Sequence, residues 1–402
     1  MEFLNKKYLF TPGPVPVAEE VLLSMAQPII HHRLPEFSEI LKEIREDLKY
    51  LFQTKKEVYF FTSSGTGAME SAIVNLFSPQ DKVIVVVGGK FGQRWLELSQ
   101  TYNLEPIVIE VSWGKAVRPE EVEKILKTNK DIRGVLIQAC ETSTGVKHPI
   151  KEIAEIVRNT SAVIVVDAIS ALGVYDLPMD KWGLDVVITG SQKALSLPPG
   201  LSFIAFSDKA QDLVKKSKLP KYYFDLQKER KAYEKNTTAF TPAVSLLIGL
   251  RKMLKRIKEI GLERLFKHYQ TLSLACRKAI LALDLEIFPE IPSESLTVIK
   301  APDGLNTGEL LKFLRNKLGV VFAGGQDHLK GKILRITHMG NQSPFDLLIA
   351  LSALEIGLNL FGYKVPFGKG IKSAEEVLLN YIKDEYLKTV PKVMTISGKY
   401  KK

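Results

Sequence analysis

Cysteine is scarce in this chain of 402 residues, which contains only Cys140 and Cys276. Two cysteines are too few for a disulfide framework, and they suit a reducing compartment. The six histidines include no HExxH or other metal-ligand spacing, and the neighbours His31 and His32 would point in different directions on any regular element. The sequence therefore predicts neither structural disulfides nor a metal site.

Long apolar runs are also missing. The longest, such as VIVVV at 83–87, have the length of a strand and fall far short of the roughly 20 residues that span a bilayer. The first residues, MEFLNKKYLFTPGP, contain no continuous apolar stretch of about 7–15 residues and no small-residue cleavage site. These features predict a cytoplasmic protein that makes no contact with a membrane.

The charge balance is basic, with a net charge of +11 and a pI near 9.3. Most lysines lie on the polar faces of expected helices, where they alternate with glutamates, as in LKEIREDLKYLF. No basic stretch is interleaved with aromatic residues and no nucleic-acid motif is present, so we expect no nucleic-acid partner. The positive charge favours small anionic ligands that carry phosphate or carboxylate groups.

Short apolar runs alternate with helical patterns between residues 58 and 206. Most of these runs are continuous rather than alternating, which is typical of strands covered on both faces of a mostly parallel sheet. The seven strand candidates are 58–62, 83–87, 107–111, 134–138, 162–167, 185–190 and 202–206. The helical patterns between them are long enough for crossover connections. We therefore predict an α/β domain with a mostly parallel seven-stranded sheet.

Later segments differ in pattern, and they suggest four parts of the chain. Residues 1–16 form an N-terminal segment, 17–255 the large α/β domain, 256–363 a smaller C-terminal α+β domain and 364–402 an extension. Within the large domain, the polar stretch 208–242 predicts a connection that consists mostly of loops. The extension contains one amphipathic patch, AEEVLLNYIKDEYL, which predicts a docked helix followed by a loose basic end.

Polar residues stand where ligands bind in open α/β sheets, at the carboxyl ends of the strands. The turn SSGTGAMES (63–71) opens into a helix, so it is either a phosphate cradle or a plain helix cap. Asp167 ends one strand, and its burial requires a cationic partner from the protein or from a cofactor. Lys193 follows the next strand in GSQKALSLPPG, where desolvation would make it a nucleophile towards aldehydes. The Gly-rich turn, the acid and the lysine together indicate a ligand site more specifically than any one of them does alone.

Seven segments also occur in an order that resembles a known family. They are SGTGAME, FGQRW, ETSTGV, DAISALG, GSQKAL, FTP and LRITHMG. This order resembles the class V aminotransferases of pyridoxal phosphate (PLP) fold type I, and within them the alanine–glyoxylate and serine–pyruvate branch. The resemblance extends from TPGP (11–14) to about Tyr363. It implies PLP fold type I, amino acid and 2-oxo acid substrates, and a homodimer with shared active sites.

The resemblance also implies roles for individual residues. Lys193 would carry PLP as a Schiff base and move the proton at the substrate α-carbon, while Asp167 would keep the pyridine nitrogen protonated. Phe91 stands where the family often has a tryptophan stacked on the ring, and Arg335 would hold the substrate carboxylate in a bidentate pair. The other implied contacts are Thr66, Gly67 and Ala68 with the phosphate, Thr142, Ile169 and Gln192 with the cofactor, Thr238 and Thr241 with the neighbouring subunit's phosphate, and Gly13 with the substrate.

Three functional alternatives remain open. Transamination between alanine or serine and glyoxylate or pyruvate needs one cation that binds the substrate carboxylate. Aspartate has a second carboxylate and needs a second cation. Arg33 is a candidate for this cation, unless it forms an ion pair at a helix entry. Cysteine desulfuration on the same fold needs a cysteine on a loop after the lysine, but Cys276 lies in a helical pattern. A non-catalytic role as a hydrogenase-associated subunit would leave the whole set of cofactor residues unexplained, and the chain lacks cysteine clusters for an iron–sulfur or nickel centre.

Overall fold

The structure, a computed structural model, describes residues 6–389. Fourteen strands are named in chain order: β1 (Tyr8–Leu9), β2 (Val58–Phe61), β3 (Lys82–Val87), β4 (Glu105–Glu110), β5 (Ile132–Gln138), β6 (Cys140–Glu141), β7 (Val146–Lys147), β8 (Val163–Asp167), β9 (Val186–Gly190), β10 (Ser202–Phe206), β11 (Leu296–Lys300), β12 (Val320–Val321), β13 (Ala323–Gly324) and β14 (Ile333–Thr337).

The helices are named in the same way: α1 (Glu19–Met25), α2 (Pro35–Phe52), α3 (Gly65–Leu76), α4 (Lys90–Thr101), α5 (Pro119–Thr128), α6 (Ile150–Arg158), α7 (Met179–Trp182), α8 (Asp208–Val214), α9 (Leu226–Glu234), α10 (Val244–Ile260), α11 (Leu262–Ala282), α12 (Thr307–Phe313), α13 (Pro344–Leu360) and α14 (Lys369–Thr389). Within the described residues, none of them is long and apolar enough to cross a membrane.

The central sheet has seven strands in the order β2-β10-β9-β8-β5-β3-β4. β10 is antiparallel to both of its neighbours, and all other pairs are parallel. Strands β8 and β9 are buried along their whole length, because apolar clusters cover both faces of the sheet. This burial explains why the strands appear in the sequence as continuous apolar runs. The prediction of a mostly parallel seven-stranded α/β sheet is confirmed.

A second, antiparallel sheet follows, with the order β11-β14-β13. Its apolar side chains join those of α11 and α13 in a separate core cluster. The N-terminal segment reaches this cluster, since Phe10 is buried there and β1 pairs with β12. The boundary between 255 and 256 falls near the end of α10, and the division into four parts stays a prediction.

The connection 208–242 contains more helix than we predicted. It includes α8 and α9. Both helices begin at a residue whose side chain caps the helix, and these caps stabilise helices that have few apolar residues to bury. The Ser207 hydroxyl accepts a hydrogen bond from the Ala210 N–H, and Asp225 accepts bonds from Gln227 and Lys228. The prediction of a mostly loop connection is therefore wrong for these two stretches.

The extension contributes helix α14, which packs along α11. Val365, Ala374 and Leu378 are buried in the same cluster as α11 and β14. The predicted loose basic end lies largely in residues 390–402, outside the described residues. The docked part therefore shares the core that supports β14.

We expect Leu378→Ala to lower the free energy of unfolding by about 2–5 kcal/mol, because it leaves a cavity in this core. Leu378 is 3% exposed, whereas its neighbour Leu379 is 52% exposed, which makes Leu379→Ala a matched control. Urea denaturation of both variants measures the difference. Equal unfolding midpoints would contradict the docking of α14.

Candidate active site

The candidate site lies where β8, β9 and α3 meet. β8 ends at Asp167, and the chain after β9 leads to Lys193 within three residues. A Cβ built on Gly190 would lie 3.6 Å from the Cα of Gly65, so the end of β9 touches the start of α3. The structure thus brings the strand-end acid, the lysine and the Gly-rich turn to one edge of the sheet.

Lys193 is buried against the N-terminal segment. Its ammonium group donates a hydrogen bond to the Pro12 carbonyl oxygen, and a Cβ on Gly13 would lie 2.6 Å from Nζ. Gly13 has φ +116°, a backbone conformation that favours glycine. Burial lowers the pKa of Lys193 to about 8, and the positive charges of Arg335 and Arg94 act in the same direction. A neutral amine is therefore accessible near physiological pH.

Asp167 is buried at the end of β8, and its Oδ1 accepts a hydrogen bond of 2.9 Å from the Ile169 N–H. Burial raises its pKa to about 6, although that hydrogen bond and the charges of Arg94 and Lys193 favour the carboxylate. The Ile169 side chain faces Gly65, whose Cβ would lie only 2.4 Å from Ile169 Cδ1. Asp167 is thus a partly compensated acid that a cationic ligand group would stabilise.

The start of α3 favours the phosphate cradle over the plain cap. The N-cap residue Ser64 makes no side-chain capping hydrogen bond, so no side chain occupies the first-turn N–H groups, although the Gly67 N–H donates to the Ser64 carbonyl at 2.9 Å. Gly67 lies so close to Ser63 that a Cβ would be 2.4 Å from its hydroxyl oxygen. Gln192 Oε1 is buried near this turn without a hydrogen-bond partner among the described residues. Thr66 and Ala68 complete the turn, which offers backbone N–H donors to a phosphate, whereas the Gln192 oxygen can only accept a hydrogen bond.

Phe91 and Thr142 approach the site from a second direction. Phe91 lies in the first turn of α4, and Thr142 follows β6. The Thr142 hydroxyl donates to Ser170 Oγ at 2.7 Å, three residues beyond Asp167. Arg94 also reaches the site: its guanidinium lies 5.0 Å from the Phe91 ring centroid and donates to Thr66 Oγ1 at 3.2 Å.

Arg335 is buried on β14, so it does not form the surface ion pair that is common for arginine. Its Nε donates to the Gly324 carbonyl at 2.9 Å and its Nη1 to the Thr142 carbonyl at 3.0 Å. Both bonds go to backbone oxygens, and no carboxylate within residues 6–389 forms a salt bridge with this side chain. Burial lowers the pKa of Arg335 to about 10. A substrate carboxylate would supply a counter-charge in direct hydrogen-bonded contact with the guanidinium.

The remaining expected residues lie on the loop before α10. The Thr238 hydroxyl is buried and donates to the Phe240 carbonyl at 2.7 Å, while Thr241 is exposed. Arg33 donates to Thr237 Oγ1 at 2.6 Å and to the Thr238 carbonyl at 2.8 Å. In the described part of the chain, Arg33 has no acidic partner, so the prediction of an ion pair at a helix entry is wrong. The arginine stabilises the threonine loop instead.

The geometry also bears on the rival chemistries. Cys276 is buried within α11, and burial raises the pKa of its thiol to about 11. A buried thiol of this kind cannot act as the loop nucleophile of a desulfurase. No group of three His, Cys, Asp or Glu side chains in residues 6–389 could hold a metal ion.

Sequence reasoning missed two charged residues of the site, Glu141 and Arg94. Both lie in segments that carry the family resemblance, ETSTGV and FGQRW, but no spacing rule singles them out. Glu141 is fully buried and binds the start of α4. A glutamate beside a Ser/Thr-rich turn and an arginine one helical turn after Phe91 were the available signals.

Known proteins resemble this chain over most of its length. The family model described as aminotransferase class-V matches residues 8–338. A soluble hydrogenase 42 kDa subunit of Anabaena cylindrica is 40% identical over 94% of this chain and 100% of its own length. An L-aspartate–glyoxylate aminotransferase of Paracoccus denitrificans is 34% identical over 92% of this chain and 95% of its own.

A solved structure shows the same fold. Ureidoglycine–glyoxylate aminotransferase from Bacillus subtilis has a TM-score of 0.89 at 30% identity, with 92% of this chain and 97% of that chain covered. The buried lysine, the strand-end acid and the open helix start fit the aldehyde, ring nitrogen and phosphate of PLP. The chain therefore belongs to the class V aminotransferases, which are PLP-dependent enzymes of fold type I.

Proposed function

We propose that this enzyme transfers the amino group of a small amino acid, alanine or serine, to glyoxylate or pyruvate. The observation that carries this proposal is the buried guanidinium of Arg335, whose two assigned hydrogen bonds go to backbone carbonyls. The second arginine of the site, Arg94, is half-buried and donates to Thr66 in the phosphate turn. One arginine binds one carboxylate through two parallel hydrogen bonds. A substrate with one carboxylate matches this arrangement.

The roles of the other residues follow from their positions. Lys193, in its neutral form, takes and returns the proton at the substrate α-carbon, which the low pKa of its buried amine favours. Asp167 would stabilise the protonated ring nitrogen, the start of α3 with Gln192 would hold the phosphate, and Phe91 would cover one face of the ring. When bound, PLP supplies the electron sink that makes the α-proton acidic.

Aspartate remains the alternative donor, because one relative is named an L-aspartate–glyoxylate aminotransferase. A second carboxylate would need a second cation. Arg33 is already hydrogen-bonded to Thr237 and Thr238, which supports the donor with one carboxylate. A panel of alanine, serine, glycine and aspartate against glyoxylate, pyruvate and 2-oxoglutarate tests this choice. Preferred use of aspartate, lost selectively in Arg33→Ala, would contradict our proposal.

The name of the Anabaena relative raises a second possibility, a non-catalytic subunit of a hydrogenase. The chain has only two cysteines, too few for the iron–sulfur clusters of electron-transfer subunits. The complete set of cofactor residues also supports catalysis. Visible absorbance of the purified protein distinguishes the two, because a subunit without cofactor is colourless.

We also infer a homodimer in the cytoplasm. Thr241 is exposed on the loop that Arg33 holds, as expected of a residue that reaches a neighbouring subunit's phosphate. Two large apolar side chains are exposed as well: Tyr222, whose ring contacts Phe240 on this loop, and Ile29, which precedes Arg33 in the chain, are both 74% exposed. A subunit interface would cover them. Two free, buried cysteines support a reducing compartment.

We expect Arg335→Lys to lower kcat/KM by roughly ten- to a hundredfold, because a lysine cannot form the planar two-bond contact with a carboxylate. The loss should appear as a higher KM for both amino donor and 2-oxo acid, while PLP affinity stays the same. Arg277→Lys is the matched control: this arginine is also largely buried and bound to Ser293 and Ser273, but it lies outside the site. Steady-state kinetics with an unchanged KM in Arg335→Lys would remove the residue from substrate binding.

A further inference from the structure

Glu141 is a buried carboxylate for which the proposed reaction has no use. It ends β6, and its side chain is completely buried. Oε2 accepts hydrogen bonds from the N–H groups of Phe91 at 3.1 Å and Gly92 at 3.0 Å, and from Gln138 Nε2 at 3.1 Å. Oε1 accepts from the N–H of Ser143 at 3.1 Å and from its hydroxyl at 2.5 Å. Five donors thus converge on one side chain.

These partners fit the ionised form of Glu141. All five are placed as donors, and the Ser143 oxygen accepts a bond from the Lys90 N–H at 3.0 Å, which leaves its proton for Glu141. Burial raises the pKa of Glu141 above its ordinary value, although its hydrogen-bond donors act in the opposite direction and favour the carboxylate. The positive end of α4 adds further support for a negative charge. A protonated carboxyl would leave one of the donors without an acceptor.

The bonds of Glu141 connect two parts of the site that are far apart in sequence. Phe91 lies on α4, while Thr142 follows Glu141 directly and accepts the bond from Arg335 Nη1. The backbone at Gly89 is packed so closely against this carboxylate that a Cβ there would lie 2.4 Å from Glu141 Cδ. A shift of Glu141 would therefore move Phe91 relative to Thr142.

We propose that Glu141 is a positioning residue, which fixes the ring of Phe91 relative to Thr142 and Arg335 and so sets the slot for the cofactor ring. This inference rests on the proposed function, because it assumes that PLP binds between Phe91 and Asp167. The hydrogen bonds of Glu141 all come from protein groups, and through those at the start of α4 it acts on Phe91. The negative charge also offsets the buried charge of Arg335.

The chain offers a matched control in Glu355. This glutamate is also buried and also binds the start of a helix, since it accepts bonds from the N–H groups of Gly368 at 2.6 Å, Gly370 at 2.9 Å and Ile371 at 3.3 Å. The helix concerned is α14, which contributes no candidate site residue. Glu355→Gln therefore removes the same type of interaction away from the site.

The test compares Glu141→Gln with Glu355→Gln in the full-length protein. An amide turns an N–H group toward backbone donors, so both variants should unfold at a lower temperature than the wild type. Only Glu141→Gln should bind PLP about ten- to a hundredfold more weakly, as followed by absorbance titration of the cofactor-free protein. It should also weaken the visible circular dichroism of the bound cofactor, because the ring loses its fixed contact with Phe91. Glu141→Asp, which keeps the charge, should restore part of the affinity.

Equal PLP affinity and dichroism in Glu141→Gln and Glu355→Gln would overturn the proposal. If Glu141→Gln does not fold, Ser143→Ala decides, because it removes one bond to Glu141 and should weaken PLP binding several-fold. Unchanged affinity in Ser143→Ala would then refute the positioning role. Borohydride reduction of the wild-type protein followed by peptide mass analysis tests the proposed function separately. A wild type without cofactor on Lys193 would overturn both proposals, whereas a labelled Lys193 with a normal Glu141→Gln overturns this one alone.

Discussion

Lys193→Ala should abolish transamination and the visible absorbance of the bound cofactor. The alanine variant loses the amine that donates to the Pro12 carbonyl and lies against Gly13. Proton transfer by a positioned side chain contributes roughly 10²–10⁴-fold to a rate, and the covalent link to the cofactor is lost in addition. Because the two losses combine, we expect activity below about one-thousandth of the wild-type value.

Lys221→Ala is the matched control for this variant. Burial lowers the pKa of Lys221 as well, but its ammonium group binds Val74, Ser217 and Leu219 outside the site. It should keep wild-type activity and absorbance. A Lys193→Ala enzyme with the turnover of the Lys221→Ala enzyme would remove Lys193 from the reaction.

The low pKa of Lys193 gives this prediction a pH dependence. Burial lowers that pKa from its ordinary value of 10.5 to about 8, so the protonated amine becomes less favourable on folding. Only the neutral amine attacks an aldehyde. The rate at which cofactor-free protein takes up PLP should therefore rise as the pH increases and level off above about 8. A rate independent of pH between 6 and 9, a range of about three units around that value, would contradict the assignment.

The sheet and the edge that carries the site were predictable because they depend on local pattern. Continuous apolar runs such as VIVV in β8 mark buried parallel strands, and the carboxyl ends of these strands place Asp167 and Lys193 together. The role of Arg335 was implied by the family resemblance, whereas the local pattern predicts only that Leu334 and Ile336 on either side put it on the opposite face of a strand.

The contacts of Glu141 were not predictable, because its partners Phe91 and Gly92 lie about fifty residues earlier in the chain. No periodicity links a glutamate in one loop to the first turn of a distant helix. The approach of Pro12 to Lys193 has the same character, since it depends on the pairing of β1 with β12. Tertiary contacts of this kind determine the shape of the cofactor site. The sequence pattern determines only the edge of the sheet at which the site lies.

Asp167→Asn should reduce kcat by on the order of 10²–10³-fold while PLP stays bound, because it removes one preorganised charge that stabilises the reacting system. A neutral amide cannot keep the ring nitrogen protonated, so the electron sink is weakened. The phosphate turn at Gly67 and the amine of Lys193 are unchanged and should still hold the cofactor. Single-turnover kinetics with a donor amino acid measure this loss directly.

The same variant should have the opposite effect on stability in the absence of cofactor. Burial raises the pKa of Asp167 from its ordinary value of 3.8 to about 6. An acid whose pKa is higher in the folded state loses stability as the pH rises from the lower value to the higher one, and the loss stays at higher pH. The shift corresponds to about 3 kcal/mol at pH values above 6. Asp167→Asn carries no such charge, so cofactor-free Asp167→Asn should unfold at a higher temperature than cofactor-free wild type at pH 8, about two units above that pKa.

Bound PLP should reverse this order, because the protonated ring nitrogen supplies the cation that the buried carboxylate lacks. Thermal unfolding at pH 8 and at pH 5, on either side of the folded-state pKa of about 6, gives four comparisons of wild type and variant with and without cofactor. We expect the stabilisation by PLP to be larger for the wild type than for Asp167→Asn at pH 8, and the difference to shrink at pH 5 as the carboxyl becomes protonated. If PLP stabilises both proteins equally at pH 8, Asp167 does not pair with the ring nitrogen. A near-normal kcat in the same variant would lead to the same conclusion by an independent measurement.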